Sequence, residues 1–145
     1  MLPVLEESGI SGLALWPARD PRVMIGSMHT TVVIVDDHEP FRRSARGLLE
    51  LDGFSVIGEA GDGAGGIEAV ERLRPSVVLL DIALPDTSGL DVAERLSGGD
   101  TRIVLVSSRD PIDLGARVGR CGAAGFIPKD ELSGERLTAV LAGSA

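Results

Sequence analysis

TVVIVDD, residues 31–37, and SVVLLD, residues 76–81, each run four apolar residues straight into a carboxylate. Runs rich in Val, Ile and Leu, with no polar residue at alternate positions, suit strands covered on both faces. That is the pattern of a parallel sheet. Working outward, three more short runs have the same character: Phe54–Gly58, Arg102–Val106 and Ala124–Pro128. Helix candidates lie between them. Glu39–Leu51 carries an apolar stripe of Phe41, Ala45, Leu48 and Leu49, and Gly63–Leu73 repeats Ile67, Val70 and Leu73 at helical spacing. Leu90–Leu96, roughly 111–121, and Leu132–Leu141 complete the set. Asp52-Gly53, Gly61-Asp62-Gly63, Arg74-Pro75, Ser97-Gly98-Gly99 and Gly122 punctuate the elements with turn chemistry.

Strand and helix alternating five times predict an α/β fold, a doubly wound parallel sheet with helices on both sides. Right-handed crossovers leave few topologies. The flavodoxin-like (βα)5 arrangement, strand order 2-1-3-4-5, is the natural one.

Residues 1–28 differ. They hold Pro3, Pro17 and Pro21 and no sustained period, and the regular pattern begins just after Met28. They read as a flexible extension behind an upstream start codon, with a domain over 29–145; the competing reading is an N-terminal element that packs on the domain.

Composition narrows the function. The 145 residues suit one domain, and 43% hydrophobic with 25% charged is ordinary for a globular protein. A net charge of −8 disfavours contact with nucleic acid or an anionic membrane, both of which call for clustered Lys and Arg. A single cysteine, Cys121, cannot form an internal disulfide, which points to a reducing cytoplasm. No apolar run approaches the length of a membrane span or a signal peptide's core.

In a doubly wound sheet, ligands bind at the carboxyl ends of the strands. Here those ends carry Asp36-Asp37, Asp81, Ser107-Ser108 and, just past the fifth strand, Lys129. Three crowded carboxylates repel one another unless neutralised. Mg²⁺ is the obvious remedy, being a hard cation that takes oxygen ligands together with phosphate oxygens. An Asp carboxylate can itself accept a phosphoryl group as an acyl phosphate. Each residue alone also has a structural role open to it. Asp36 and Asp37 could cap a helix, Asp81 could form a turn, Ser107 could be a cap and Lys129 a solvated charge. Their convergence at four strand ends favours a site.

With those residues in view, 31–142 resembles the receiver domain of two-component response regulators. The resemblance is carried by VVIVDDHEP, SVVLLDIALPDTSGL, RIVLVSS and GAAGFIPKD. It implies that Asp81 is the phospho-acceptor and that Asp37 and Asp81 ligate Mg²⁺ directly. It gives Asp36 a role through bound water and makes the main-chain carbonyl of Ala83 a further ligand. It implies that Lys129 contacts the phosphoryl group and that Ser107 moves to hydrogen-bond it. Phe126 then turns inward, altering the surface formed by strand five and the helices on either side of it. The phosphodonor would be a sensor histidine kinase, the target another protein, with a homodimer on phosphorylation. The protein would be cytoplasmic, contact no nucleic acid or membrane, and catalyse only its own phosphorylation and dephosphorylation. DDH, GEAGDG and KD look most like the subfamily that usually carries a helix-turn-helix output domain; about sixteen residues after Lys129 leave no room for one, so a stand-alone receiver is expected, the competing reading being an output domain lost by truncation.

There are departures. Ser108 stands where a small alanine is usual, which bears on access to the phosphoryl group. Ala83 is smaller than the common occupant, which bears on dephosphorylation. Asp130 rather than proline follows Lys129, so no cis bond is expected there. His38 reads as a loop residue at a helix start and Cys121 as a small packing residue. The Gly-rich stretch 61–66 lacks the P-loop lysine and the dinucleotide-binding spacing, and reads as a strand-to-helix turn. Two other functions compete. A Mg²⁺-dependent phosphohydrolase with Asp81 as nucleophile would need a second Asp at position 83, where Ala stands. A phosphorylation-independent interaction module would not need the full set of acidic, hydroxyl and lysine groups.

Overall fold

The computed structural model describes residues 30–109 and 115–143. The expectation for residues 1–28 lies outside the described residues. Five strands form one parallel sheet: β1 (Thr31–Val35), β2 (Ser55–Ala60), β3 (Val77–Asp81), β4 (Arg102–Ser107) and β5 (Gly125–Pro128), in the order β2-β1-β3-β4-β5. Among the described residues four α-helices accompany them: α1 (Glu39–Leu51), α2 (Gly63–Leu73), α3 (Gly89–Leu96) and α4 (Gly134–Leu141). The flavodoxin-like fold class and the strand order read from the sequence are both present.

The apolar runs split by parity, as the two-residue period of a strand demands. Val32 and Ile34 of β1, Val77 and Leu79 of β3, and Val104 and Val106 of β4 face one side. There they pack with Ala45 and Leu49 of α1 and Leu137, Val140 and Leu141 of α4. Val33, Val35, Val78, Leu80, Ile103 and Leu105 face the other, against Ala69 and Val70 of α2 and Leu90, Val92 and Ala93 of α3. Every residue of β3 is buried, which is why this central strand has no polar position before Asp81. At about 2 kcal/mol per fully buried Leu or Val, this two-sided burial outweighs any single loop interaction in setting the register. The edge strand β2 is half-exposed, and its pairing slips by one residue between Val32 and Val33.

The helices start where the chain supplies acceptors for their free amides. Asp62 caps α2 through Gly65 N–H at 2.7 Å, and Ser133 caps α4 through Arg136 N–H at 3.0 Å. The Gly-rich stretch is therefore the strand-to-helix turn expected of it. Gly66 lets α2 lie close on the sheet, because a Cβ there would stand 2.8 Å from the Val35 side chain.

The fourth crossover differs from expectation. Periodicity predicts a helix over roughly 111–121, but among the described residues the segment holds one 3-10 turn, Ala116–Gly119. Three glycines in 115–122 explain why no α-helix runs through this described part. Gly115 and Gly122 sit at φ 84° and 91°, in the left-handed region that ends right-handed helices. Arg117 ties this turn to α3, reaching Glu94 at 2.8 and 3.0 Å and also pairing with Asp91.

Candidate functional site

Three of the strand ends share one local device. Asp36 Oδ1 accepts the His38 N–H at 2.8 Å, Asp81 Oδ1 accepts the Ala83 N–H at 3.3 Å, and Ser107 Oγ accepts the Arg109 N–H at 3.0 Å. Each side chain thus takes the amide two residues on, as Asx and Ser/Thr turns do. The turn role open to Asp81 is real, and it aims the carboxylate instead of excluding it from a site. Neither Asp36 nor Asp37 occupies the N-cap position of α1. His38 does, at a helix start as expected, without a side-chain cap bond.

Asp36, Asp37 and Asp81 offer carboxylate oxygens that all lie within 4.8 Å of one another. Asp36 is fully buried, Asp81 nearly so, and Asp37 is exposed. Lys129, in the short 3-10 turn Lys129–Glu131 that follows β5, brings its Nζ to 2.6 Å from Asp36 Oδ2 and 3.4 Å from Asp81 Oδ2. The same ammonium stands 4.7 Å from the centre of the Phe41 ring of α1, close enough for a cation–π contact. Burial, and after it the charge of Asp36, pushes the Asp81 carboxyl above its usual range; Lys129 and the Ala83 amide pull back only in part. Three carboxylates, two of them buried, face one ammonium. That donor set suits a hard divalent cation.

The remaining sequence candidates fall beside this cluster. Ser107 is buried, with its hydroxyl engaged by the Arg109 amide, and it pairs in register with Pro128, the residue before Lys129. Phe126 is half-buried against the core on the α2/α3 side of the sheet. Ala83 is exposed and forms an antiparallel bridge with Ser88, closing the loop between β3 and α3 at its base. Gly89 makes that closure possible. A Cβ there would stand 2.1 Å from the Asp81 carbonyl oxygen, and its N–H donates to Ile82 O at 2.7 Å. Cys121 is buried in the core, a packing residue as expected.

Two contributors escape the sequence. Asp86 accepts the Gly63 and Ala64 amides at 2.7 and 3.0 Å, pinning the acceptor loop to the start of α2. Those two amides hold its carboxyl below the usual range. Arg42 donates to the main-chain carbonyl of Asp36 and to Glu59 Oε1. The partners of Asp86 lie 22 and 23 residues away and Glu59 lies 17 residues from Arg42, while the Asp36 carbonyl, 6 residues from Arg42, is a main-chain acceptor that no side-chain pattern marks.

No described helix is long and apolar enough to cross a membrane.

Comparison with known proteins places this geometry. The family model of the response regulator receiver domain matches residues 32–142. The nitrate/nitrite response regulator protein NarP of Escherichia coli K12 is 40% identical over 116 residues, covering 78% of this chain and 54% of NarP. A putative transcriptional regulator of Pseudomonas aeruginosa is 38% identical over 117 residues, covering 77% of this chain and 56% of its own length. The chain spans about half the length of the curated relatives it matches. Among solved structures, the signal receiver domain of the putative response regulator NarL from Mycobacterium tuberculosis superposes with a TM-score of 0.71 at 36% identity. That match covers 79% of this chain and 95% of the other. With the fold, the strand-end carboxylates and these relatives in agreement, the chain belongs to the response regulator receiver domain family, on the side of the NarL- and NarP-type regulators.

Proposed function

We propose that Asp81 accepts a phosphoryl group from a sensor histidine kinase in a Mg²⁺-dependent transfer, and that the modified site switches a protein-interaction surface. The observation that carries this reading is the cluster itself: three carboxylates within 4.8 Å, with Lys129 reaching two of them. An Asp81 carboxylate oxygen attacks phosphorus and forms a P–O bond. The P–N bond to the donor imidazole breaks, and its electron pair stays on that ring. Asp37 and Asp81 would hold Mg²⁺, with Asp36 acting through water and the Ala83 carbonyl as a further ligand, and the bound cation would supply the charge neutralisation that transfer requires.

Lys129 then exchanges part of its pairing with Asp36 for an oxygen of the new phosphoryl group. Ser107 leaves the Arg109 amide to hydrogen-bond a second oxygen, and Phe126 turns into the space it vacates. Phe126 is half-buried, so part of its ring surface remains to be covered by an inward turn. The net charge of −8 supports an output read through protein contacts, with no nucleic acid held by these residues directly. In this reading the receiver works in the cytoplasm, with a second copy as one available partner after phosphorylation.

The test is incubation with Mg²⁺ and acetyl phosphate, followed by intact mass. One phosphoryl adduct is expected, absent in Asp81→Asn. No adduct despite bound Mg²⁺ overturns the reading. Rapid multiple turnover of small phosphoesters replaces it with a phosphohydrolase.

A further inference from the structure

Asp36 is held by three hydrogen bonds and an ion pair, its buried Oδ2 relying on the charge of Lys129 with no hydrogen bond of its own. Its N–H donates to the Ala60 carbonyl of β2 at 3.0 Å, its Oδ1 accepts the His38 amide at 2.8 Å, and its Oδ2 meets Lys129 Nζ at 2.6 Å. The fourth contact comes from α1, where Arg42 Nη1 donates to the Asp36 carbonyl oxygen. The same guanidinium donates through Nε to Glu59 Oε1 at 2.9 Å. Arg46, one turn further along α1, holds the other Glu59 oxygen at 2.8 Å and also reaches the Val56 carbonyl at 3.1 Å. Burial pushes the Glu59 carboxyl up, but hydrogen bonds from Arg46 and Arg42 outweigh it and hold the group below its usual range. Arg42 is mostly buried, with 19% of its side chain exposed, so the fork is held in place. Arg46 shares Glu59 with Arg42, yet its own contacts lie on Glu50, Val56 and Glu59, away from the acidic cluster.

We propose that Arg42 is a positioning residue for the acidic site. By bridging Glu59 of β2 to the main-chain carbonyl of Asp36, it sets the path of the chain through Asp36-Asp37 and hence the spacing of the carboxylates around a bound cation. The inference rests on the Mg²⁺ reading of the site given above. The guanidinium offers these two acceptors separate nitrogens in a fixed planar fork, Nε to Glu59 and Nη1 to the Asp36 carbonyl, a geometry that a lysine ammonium, with all its donors on one nitrogen, does not reproduce. Outer contacts of this kind tune metal affinity through the ligands they orient. The charge of Arg42 acts in the opposite sense. A cation near three carboxylates weakens Mg²⁺ binding, so removing its charge alone would tighten it.

The sign of the change therefore decides the matter. The measurement is a Mg²⁺ titration of the full chain by calorimetry and by amide chemical shifts, for wild type, Arg42→Ala, Arg42→Lys and Arg46→Ala. Each variant is also unfolded in urea. Arg42→Ala and Arg46→Ala should cost similar stability, since each takes one guanidinium from Glu59. The Mg²⁺ dissociation constant should rise about tenfold in Arg42→Ala and change by less than about twofold in Arg46→Ala. Arg42→Lys, which keeps the charge and the fold, should bind as weakly as Arg42→Ala. Unchanged or tighter binding in Arg42→Ala overturns the proposal. So does equal weakening in Arg46→Ala, or wild-type affinity in Arg42→Lys. A wild type that binds no Mg²⁺ overturns the metal reading, and this inference with it.

Discussion

Lys129 Nζ stands closer to Asp36 Oδ2, at 2.6 Å, than to the proposed acceptor Asp81, at 3.4 Å. Asp36 is fully buried, so this ammonium is the counter-charge that makes its burial tolerable. Lys129 thereby has two tasks, holding the unmodified site together and meeting the phosphoryl group when it arrives.

Lys129→Met should expose that first task. Losing one partner of a buried ion pair costs about 3 kcal/mol, measured by urea unfolding without divalent cations. Adding Mg²⁺ should restore more stability to the variant than to the wild type, because the cation replaces the missing positive charge. Equal Mg²⁺ responses in both proteins would count against the pairing.

Asp81 makes stability depend on pH in a defined direction. Its folded carboxyl lies above the ordinary value, because burial and the Asp36 charge penalise ionisation. The folded state thus binds the proton more tightly than the unfolded chain. Its contribution is fully present below the ordinary carboxylate value and is lost as pH rises through the folded value. At neutral pH without divalent cations, Asp81→Asn should melt higher than the wild type, by about 3 °C. The two should converge in acid and also on adding Mg²⁺. Thermal melts across pH 3–8 check this, on the order of one carboxylate's titration range.

Glycine at 89 is required by the backbone of the acceptor itself. A Cβ there would stand 2.1 Å from Asp81 O and 2.8 Å from Ile82 Cα, and main chain cannot move aside cheaply. Gly89→Ala should cost about 3 kcal/mol and lower the rate of phosphorylation by acetyl phosphate. Gly47, inside α1 with nothing within 4 Å of a built Cβ, is the control. Gly47→Ala should stabilise by about 0.5–1 kcal/mol and leave phosphorylation unchanged.

Asp86 should contribute at the acid end. The Gly63 and Ala64 amides hold its carboxyl below the ordinary value, so its contribution is present above that value and lost as pH falls through the folded one. Asp86→Ala should flatten the acid side of the stability profile. Hydrogen exchange at Gly63 and Ala64 should accelerate by about tenfold as the start of α2 loosens. Unaltered exchange at these two amides would show that Asp62 caps the helix unaided.

What could be read in the chain was whatever depends on neighbours a few residues away. The bounds of β1, α1 and α2 follow from apolar period and turn chemistry, and the structure places them at Thr31–Val35, Glu39–Leu51 and Gly63–Leu73 as read. Asp36, Asp37, Asp81, Ser107 and Lys129 were visible because each directly follows or ends an apolar run, and a parallel sheet carries all such ends to one edge. The described part of the fourth crossover, 115–121, departs from the helix read there because its apolar spacing suits one, while the backbone freedom of Gly115, Gly119 and Gly122 works against it.

Tertiary structure alone decided which groups pair across that edge. Arg42 on Glu59, Asp86 on the α2 amides, Phe41 beside Lys129, and the preference of Lys129 for Asp36 all join residues far apart in the chain. Local propensity sets the elements because it acts through backbone geometry and burial period. It carries no record of the distances between side chains on different elements, and those distances determine the electrostatics of the site.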